Sequence, residues 1–209
     1  DDDVDDGDQV PTLTLAVVDS SSYDPYDSVL DTTVNVTNVD DDTAGFTLSG
    51  TTASVSETGS TATFTVVLDS EPTGDVVFGI SSADTGEATV SPSALTFTSS
   101  NWDTPQTITV TGIPDYSDDG DQTSTVTVSV NDGSSDDDYD SLADGTVSVT
   151  TTDIDAAPGL TVTQTGGSTS VNEASSGNTD TFTVVLDMQP SPSNDVVVNI
   201  TSADTGEAT

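Results

Sequence analysis

Apolar residues alternate with threonine and serine along much of this 209-residue chain. The alternation is clearest in residues 63–68, 107–110, 125–130 and 146–149, and no segment has a helical period. A period of two residues is typical of a strand with one buried face, and the abundant Val, Ile and Thr favour strands. Clusters of Gly, Pro, Asn, Asp and Ser separate these segments about every ten residues, as in antiparallel sandwiches. The sequence therefore predicts an all-β fold.

Seven strands, named A to G, are predicted in the middle of the chain. Their approximate bounds are residues 45–56, 61–69, 75–82, 88–98, 105–112, 123–130 and 145–152. Seven short strands separated by turn residues are the pattern of a seven-stranded antiparallel immunoglobulin-like β-sandwich.

Internal repetition divides the chain into modules. Three segments recur identically: 5–9 at 118–122 (DDGDQ), 63–69 at 181–187 (TFTVVLD), and 82–89 at 202–209 (SADTGEAT). The two copies of each segment lie 113 to 120 residues apart. A spacing of this size is that of a whole sandwich domain, so we expect tandem sandwiches stacked end to end.

The repeat predicts a complete module at residues 43–155. Residues 1–42 match the C-terminal half of that module, and residues 156–209 match its N-terminal half. The simplest interpretation is a segment of a much longer tandem array. The alternative is strand exchange between chains, in which another segment supplies the counterpart of residues 90–113.

The charge of the chain changes this picture, because 38 acidic residues are balanced by no Lys, Arg or His. A compact fold with a net charge of −38 repels itself, so metal ions or very high salt must accompany folding. A chain without cationic side chains cannot neutralise phosphates, which excludes nucleic acid as a direct partner. The absence of Cys excludes disulfides, and no apolar stretch is long enough for direct membrane insertion.

Strand direction predicts where the acids meet. If each strand runs opposite to the one before it, the turns A–B, C–D and E–F all lie at one end of the module. Strand G finishes at the same end, where the chain leaves the module, and we call this end the C-terminal pole. The acids there are Glu57, Asp84, Glu87, Asp115, Asp118, Asp119, Asp121, Asp153 and Asp155. So many carboxylates ionise together only around a cation, and Ca²⁺ accepts irregular sets of oxygen ligands. The alternative is that they are solvated turn residues of a salt-loving protein.

The opposite end of the module, the N-terminal pole, carries a second group of loops. The long F–G loop, residues 131–144, contains five aspartates in the stretch 136–144. This loop either completes the metal shell of the preceding module or is a plain hydrated loop.

The central module contains several distinctive motifs, which include residues 55–59 (VSETG), 83–89 (ADTGEAT), 106–110 (QTITV) and the closing triplet 153–155 (DID). These motifs resemble those of Calx-beta domains. The resemblance covers the whole module and both flanking halves, and is greatest to the variant in tandem arrays of large bacterial surface proteins and adhesins. It implies an immunoglobulin-like sandwich that binds Ca²⁺ at one pole.

The resemblance also implies a ligand set. In the central module it comprises Glu57, Asp84, Asp115, Asp119, Asp153 and Asp155, with Asp121 beside them in the E–F loop. In the flanking halves the matching acids are Asp2, Asp6, Asp40, Asp41 and Asp42, and then Glu173 and Asp204. Gln122 and Ile154 stand where this family has acids, and both lower the ligand charge.

These observations favour a structural function. We expect a calcium-stiffened extension repeat of a long extracellular fibre or cell-surface adhesin, with calcium ions, adjacent repeats and other copies of the fibre as partners. Catalysis is not expected, because the chain has no His, Cys or Lys and its acids lie in turns. The alternative is a binding module in which Thr and Ser rows on strands F and G contact ice, glycans or another fibre.

Overall fold

The computed structural model describes residues 2–18, 21, 24–26, 28–167, 169–171 and 179–203. The strands are β1 Thr12–Leu15, β2 Thr32–Asn35, β3 Phe46–Leu48, β4 Thr52–Ser56, β5 Thr61–Leu68, β6 Val76–Ser82, β7 Ala88–Ser91, β8 Ala94–Phe97, β9 Gln106–Gly112, β10 Gln122–Val130, β11 Gly145–Thr152, β12 Leu160–Gln164 and β13 Phe182–Leu186. Short 3-10 turns cover Asp24–Tyr26, Asp132–Ser134 and Thr165–Gly167. The described part of the chain contains no helix that could span a membrane.

Strands β3 to β11 form two sheets that pack face to face. One sheet has the order β4-β11-β10-β6-β8, and the other has the order β3-β5-β9-β7. With A to G assigned in chain order, these are the A′-G-F-C and A-B-E-D sheets of an immunoglobulin-like sandwich, with part of D added beside C. The predicted fold class is therefore confirmed for this module.

The predicted strands A and D are each divided between the two sheets. Strand A becomes β3, which pairs with β5, and β4, which pairs with β11 in parallel. Strand D becomes β7, which pairs with β9, and β8, which pairs with β6. Pro92 interrupts D because it has no N–H for the ladder. The prediction of a wholly antiparallel sandwich was thus wrong at strand β4.

The core lies between the two sheets and follows the period of two. In β10, Val126 and Val128 are fully buried, whereas Thr125 is exposed. The Phe78 ring from one sheet meets Phe46 of the other edge-on, with ring centroids 4.9 Å apart. The alternation of apolar and hydroxyl side chains is therefore the pattern that closes the sandwich.

The flanking segments repeat the local structure of the central module. β1 and β2 pair in the register of β10 and β11, so that Leu13 and Val34 are opposite each other as Val126 and Val147 are. Leu13 is 56% exposed, whereas Val126 is fully buried. The difference arises because no second sheet covers β1 and β2 within the described residues.

Phe78→Ala should destabilise the protein by about 3–5 kcal/mol, since it removes a buried ring that contacts both sheets. Thr125→Ala, at an exposed position of β10, is the control and should change stability by less than about 0.5 kcal/mol. Urea unfolding of the whole chain, followed by the fluorescence of Trp102, measures both. Equal midpoints for the two variants would contradict the assigned core.

Candidate metal centre

The sandwich brings the acidic loops of the C-terminal pole together. Glu57 follows β4, Glu87 precedes β7, residues 113–121 link β9 to β10, and residues 153–155 follow β11. The divided strands A and D do not reverse direction, so the alternation of poles that the sequence predicts is retained.

Backbone contacts fix these loops to the sheets. The Glu57 N–H donates to the carbonyl of Thr152 at 3.3 Å, and the Ile113 N–H donates to the carbonyl of Glu87 at 2.8 Å. Gly112 lies against the backbone of Ser56, where a Cβ would collide with it. The end of β9 can therefore approach the end of β4 closely, and the loop that carries Asp115 begins beside Glu57.

Two groups of three carboxylates lie within metal-binding distance at this pole. One group is Glu57, Asp115 and Asp155, and the other is Glu87, Asp115 and Asp119. In each group, one oxygen from every residue lies within 4.8 Å of the others. Asp115 belongs to both, so the two positions are adjacent. Within the described residues, this pole is the only place where such groups occur.

Glu57 and Glu87 are buried without enough hydrogen-bond donors. Glu57 is 2% exposed; its Oε2 accepts the N–H of Ile154 at 3.3 Å, while its Oε1 has no partner. Glu87 is 9% exposed, and its Oε2 has no partner either. Burying an ionised carboxylate without a partner costs free energy, so the Glu57 and Glu87 carboxylates each require a proton or a cation.

The pKa values of both glutamates reflect this environment. Burial is the main cause that raises the pKa of Glu57 to about 7; the Ile154 N–H opposes the shift, and the charges of Asp153 and Asp115 add to it. Burial also raises the pKa of Glu87, followed by the charges of Asp115 and Asp119. In the absence of a cation, both side chains hold a proton more tightly than a solvated glutamate does.

Asp153 and Asp121 brace the loops around the two groups. The Asp153 carboxylate accepts the N–H of Asp155 on Oδ1 and that of Gly120 on Oδ2, both at 2.8 Å. These N–H groups hold the pKa of Asp153 below its usual range. The Asp153 N–H in turn donates to Asp121 Oδ1 at 3.1 Å. Each oxygen of Asp153 therefore accepts at least one hydrogen bond from the protein backbone.

Asp84 lies near the groups but belongs to neither. Its Oδ1 accepts the N–H of Gly86 at 2.9 Å and so closes the turn before β7. The charge of Asp84 contributes to the raised pKa of Glu87. Of the predicted ligands of the central module, the structure thus places Glu57, Asp115, Asp119 and Asp155 in the two groups, while Asp84, Asp121 and Asp153 surround them.

The preceding segment repeats the bracing arrangement. Asp40 Oδ2 accepts the N–H of Gly7 at 2.6 Å, Asp40 Oδ1 accepts that of Asp42 at 3.0 Å, and the Asp40 N–H donates to Asp8 Oδ1 at 3.1 Å. A cavity of about 20 Å³ lies beside these residues. Its acidic lining consists of the predicted ligands Asp2, Asp6, Asp40, Asp41 and Asp42. Glu173 and Asp204, the ligands predicted for the following segment, lie outside the described residues.

Glu87 is the site residue that the predicted ligand set omits. Strand direction places it at the C-terminal pole, but the family resemblance does not assign it a ligand role. Its burial depends on contacts between the sheets that the sequence does not show. The signal that could have identified it is the identical recurrence of residues 82–89 at 202–209.

The N-terminal pole is organised by hydrogen bonds within the protein. The hydroxyl of the buried Tyr139 donates to the carbonyl of Ser70 at 2.7 Å, which ties the loop between β10 and β11 to that between β5 and β6. Asp136 Oδ2 accepts the Thr73 hydroxyl at 2.7 Å and the Gly74 N–H at 2.6 Å, and Oδ1 accepts an N–H two residues on. The Asp136 carboxylate thus binds both its own loop and the loop between β5 and β6.

No protein-family model matches the sequence, and no curated protein matches it. Solved structures resemble it remotely. Domains 4 and 5 of the S-layer protein SbsC are 23% identical, with a TM-score of 0.39 over 60% of this chain and 54% of that chain. A chain of the CFA/I fimbrial chaperone–tip adhesin complex is 10% identical, with a TM-score of 0.39 over 59% and 63%. The E. coli chaperone DraB is 9% identical, with a TM-score of 0.38 over 52% and 55%. The chain spans between 54% and 63% of the length of these structures.

Without divalent cations, stability should fall as the pH rises from about 5 to about 7. The pKa of Glu57 is about 7 in the folded protein, whereas that of a solvated glutamate, as in the unfolded chain, is 4.5. Between these two pH values the folded protein therefore binds more protons than the unfolded chain. The unfolding free energy then decreases with rising pH and levels off above the folded pKa. Urea unfolding in chelator at several pH values measures the slope.

Glu57→Gln should make this slope shallower, because glutamine does not titrate. Glu71→Gln, at the other pole, is the matched control and should keep the slope of the unmodified protein. A slope that is the same in Glu57→Gln as in the unmodified protein would show that Glu57 is not the group responsible.

Proposed function

We propose that this chain is a calcium-stiffened extension repeat of a long extracellular fibre or surface adhesin, without catalytic activity. One observation carries the proposal. Glu57 and Glu87 are buried with unpartnered oxygens beside Asp115, in a chain that has no cationic side chain to neutralise them. A proton or a metal ion must therefore complete the C-terminal pole at neutral pH.

The donor set suits calcium. Every candidate ligand is a carboxylate oxygen, whereas zinc, copper and nickel favour imidazole or thiolate, which this chain lacks. Ca²⁺ accepts about six to eight oxygens in irregular loops, but Mg²⁺ requires a regular octahedron and keeps several waters. The resemblance of residues 55–59 and 83–89 to Calx-beta domains favours the same ion. Glu57, Asp115 and Asp155 would hold one ion, and Glu87, Asp115 and Asp119 a second.

Such ions would stiffen the connection to the next repeat. Asp155 lies in the linker that follows β11, whereas Glu57 follows β4 and Asp115 follows β9. An ion held by all three would join the linker to both sheets of the sandwich. Strands of seven to nine residues, such as β6 and β10, make the module about 23–30 Å long. A row of such modules would form a rod whose function is reach.

The calcium proposal predicts a large effect of calcium on unfolding. For a site with a Kd of about 0.1 mM, about 10 mM calcium should stabilise the chain by about 2.7 kcal/mol. Thermal unfolding with calcium, with chelator, and with chelator plus NaCl measures this effect. NaCl should not restore the stability lost in chelator. Equal melting in calcium and in chelator would contradict calcium binding and favour a salt-loving protein.

Variants separate the two ion positions. Asp115→Asn should weaken both, whereas Glu87→Gln should remove one and leave the other, as measured by the stoichiometry of calcium in titration calorimetry. Asp103→Asn, an exposed acid at the opposite pole, is the control and should bind calcium as the unmodified chain does. If Asp115→Asn kept the full stoichiometry, the assigned ligands would be wrong.

A second candidate function rests on the outer faces of the sheets. None of the described strands contains Asp or Glu, so the acids among the described residues all lie in loops or short 3-10 turns. On β10 and β11 the pairs Thr125–Ser148 and Thr127–Thr146 form uncharged hydroxyl rows. Such a face could contact a glycan, ice or another fibre without electrostatic repulsion.

This second candidate predicts that charge on the face abolishes contact. Thr125→Asp with Thr146→Asp should remove any association of the chains detected by light scattering, while the calcium effect on melting stays. The same two residues changed to Ser are the control. Association that survives the Asp substitutions would exclude this face.

A further inference from the structure

The joint between the preceding segment and the central module is held by direct peptide contacts. The first joint comprises residues 2–8, the linker 42–45 and Glu71. Asp5 Oδ2 accepts the N–H of Ala44 at 2.7 Å, and the Asp3 carbonyl accepts the N–H of Glu71 at 2.6 Å. Val4 and Glu71 also form a parallel β-bridge. The joint therefore has a defined geometry that needs no bound ion.

The second joint is the one between the central module and the following segment. The structure shows which of its residues correspond to those of the first joint. The Gly45 carbonyl accepts the N–H of Asp69 at 2.9 Å, and the Gly159 carbonyl accepts that of Asp187 at 3.0 Å. The carboxylates of the same two aspartates accept a threonine hydroxyl of β3 and of β12, at 2.8 and 2.6 Å. Gly159 is thus the counterpart of Gly45, and the residue before it is the counterpart of Ala44.

That residue is Pro158, which has no N–H to donate. The counterpart of Asp5, by the repeat of residues 5–9 at 118–122, is Asp118. The counterpart of Asp3 is Tyr116, which has a φ of 64°, whereas Asp3 does not have a positive φ. The backbone of the second loop therefore has a different conformation at this position.

The contacts of the first joint are accordingly missing from the second. Among the described residues, no hydrogen bond or β-bridge links the loop 115–121 to residues 157–190. Gln189 is the counterpart of Glu71, because each lies two residues after the corresponding aspartate, Asp187 or Asp69. The N–H of Gln189 donates no hydrogen bond to the loop 115–121. The two joints thus differ in peptide contacts although their bracing aspartates are the same.

We propose that the Asp5–Ala44 hydrogen bond fixes the first joint, and that Pro158 makes the second joint a hinge. The N-terminal pole of a module binds the loop of the preceding module when the residue at the position of Ala44 has a backbone N–H to donate. Where proline stands there, only the linker and any ion bound to it connect the modules. In the absence of bound ions, the stiffness of each joint is therefore set through this position.

The test measures the spread of distances across each joint in the whole chain. The protein has no Cys, so spin labels can be attached at introduced cysteines. Matching pairs are Thr33→Cys with Thr63→Cys for the first joint, and Thr146→Cys with Thr181→Cys for the second. Electron–electron double resonance in chelator should give a narrow distribution across the first joint and a broad one across the second.

Substitutions then exchange the properties of the joints. Asp5→Ala and Ala44→Pro should each broaden the first distribution, and Pro158→Ala should narrow the second. Asp5→Ala should also speed amide hydrogen exchange at Ala44 by about tenfold. Glu71→Gln keeps the backbone N–H and is the control that should change neither distribution. Trp102 fluorescence during urea unfolding verifies that each variant retains the central sandwich.

Equal widths across the two joints, or an unchanged first joint in Asp5→Ala, would overturn the proposal. A second joint that stays broad in Pro158→Ala would overturn the role of Pro158. These outcomes are independent of the calcium proposal, because the distances are measured in chelator. Absence of calcium binding in calorimetry would leave the difference between the joints intact.

Discussion

Uncompensated negative charge at the C-terminal pole is the constraint on which the rest of the molecule depends. Glu57 and Glu87 are buried where Asp115 adds a further carboxylate, and the chain has no side chain that could pair with them. Coulomb repulsion between ionised groups at such distances is strong in a partly buried site. The module therefore folds around a place that only protons or cations can complete.

The arrangement of strands accounts for the concentration of charge. Threonine, serine and valine fill the strands, so each sheet has an apolar inner face and an uncharged outer face. In the central module every acid lies in a segment between strands, and the sandwich brings these segments together at its two poles. Loop residues Asp3 and Asp5 of the preceding segment contact Glu71 and Ala44 at the opposite pole of the central module. Under the proposed function, the same loops would determine both ion binding and the geometry of each joint.

The sequence predicted five strands, B, C, E, F and G, to within one residue of their observed bounds. The sequence did not predict that strands A and D are each divided between the two sheets. The period of two shows which side chains of a strand are buried, but it does not show to which sheet the strand belongs. Strand direction predicted that Glu57, Asp115 and Asp155 meet. The burial of Glu87 and the role of Asp153 as a brace depend on backbone contacts between distant loops, and these have no pattern in the sequence.

The most direct test of the central claim is a crystal structure of the whole chain grown with calcium, with anomalous scattering to identify ions. The account predicts an ion coordinated by Glu57, Asp115 and Asp155, and a second beside Glu87 and Asp119. Only water between these carboxylates, at saturating calcium and neutral pH, would contradict it.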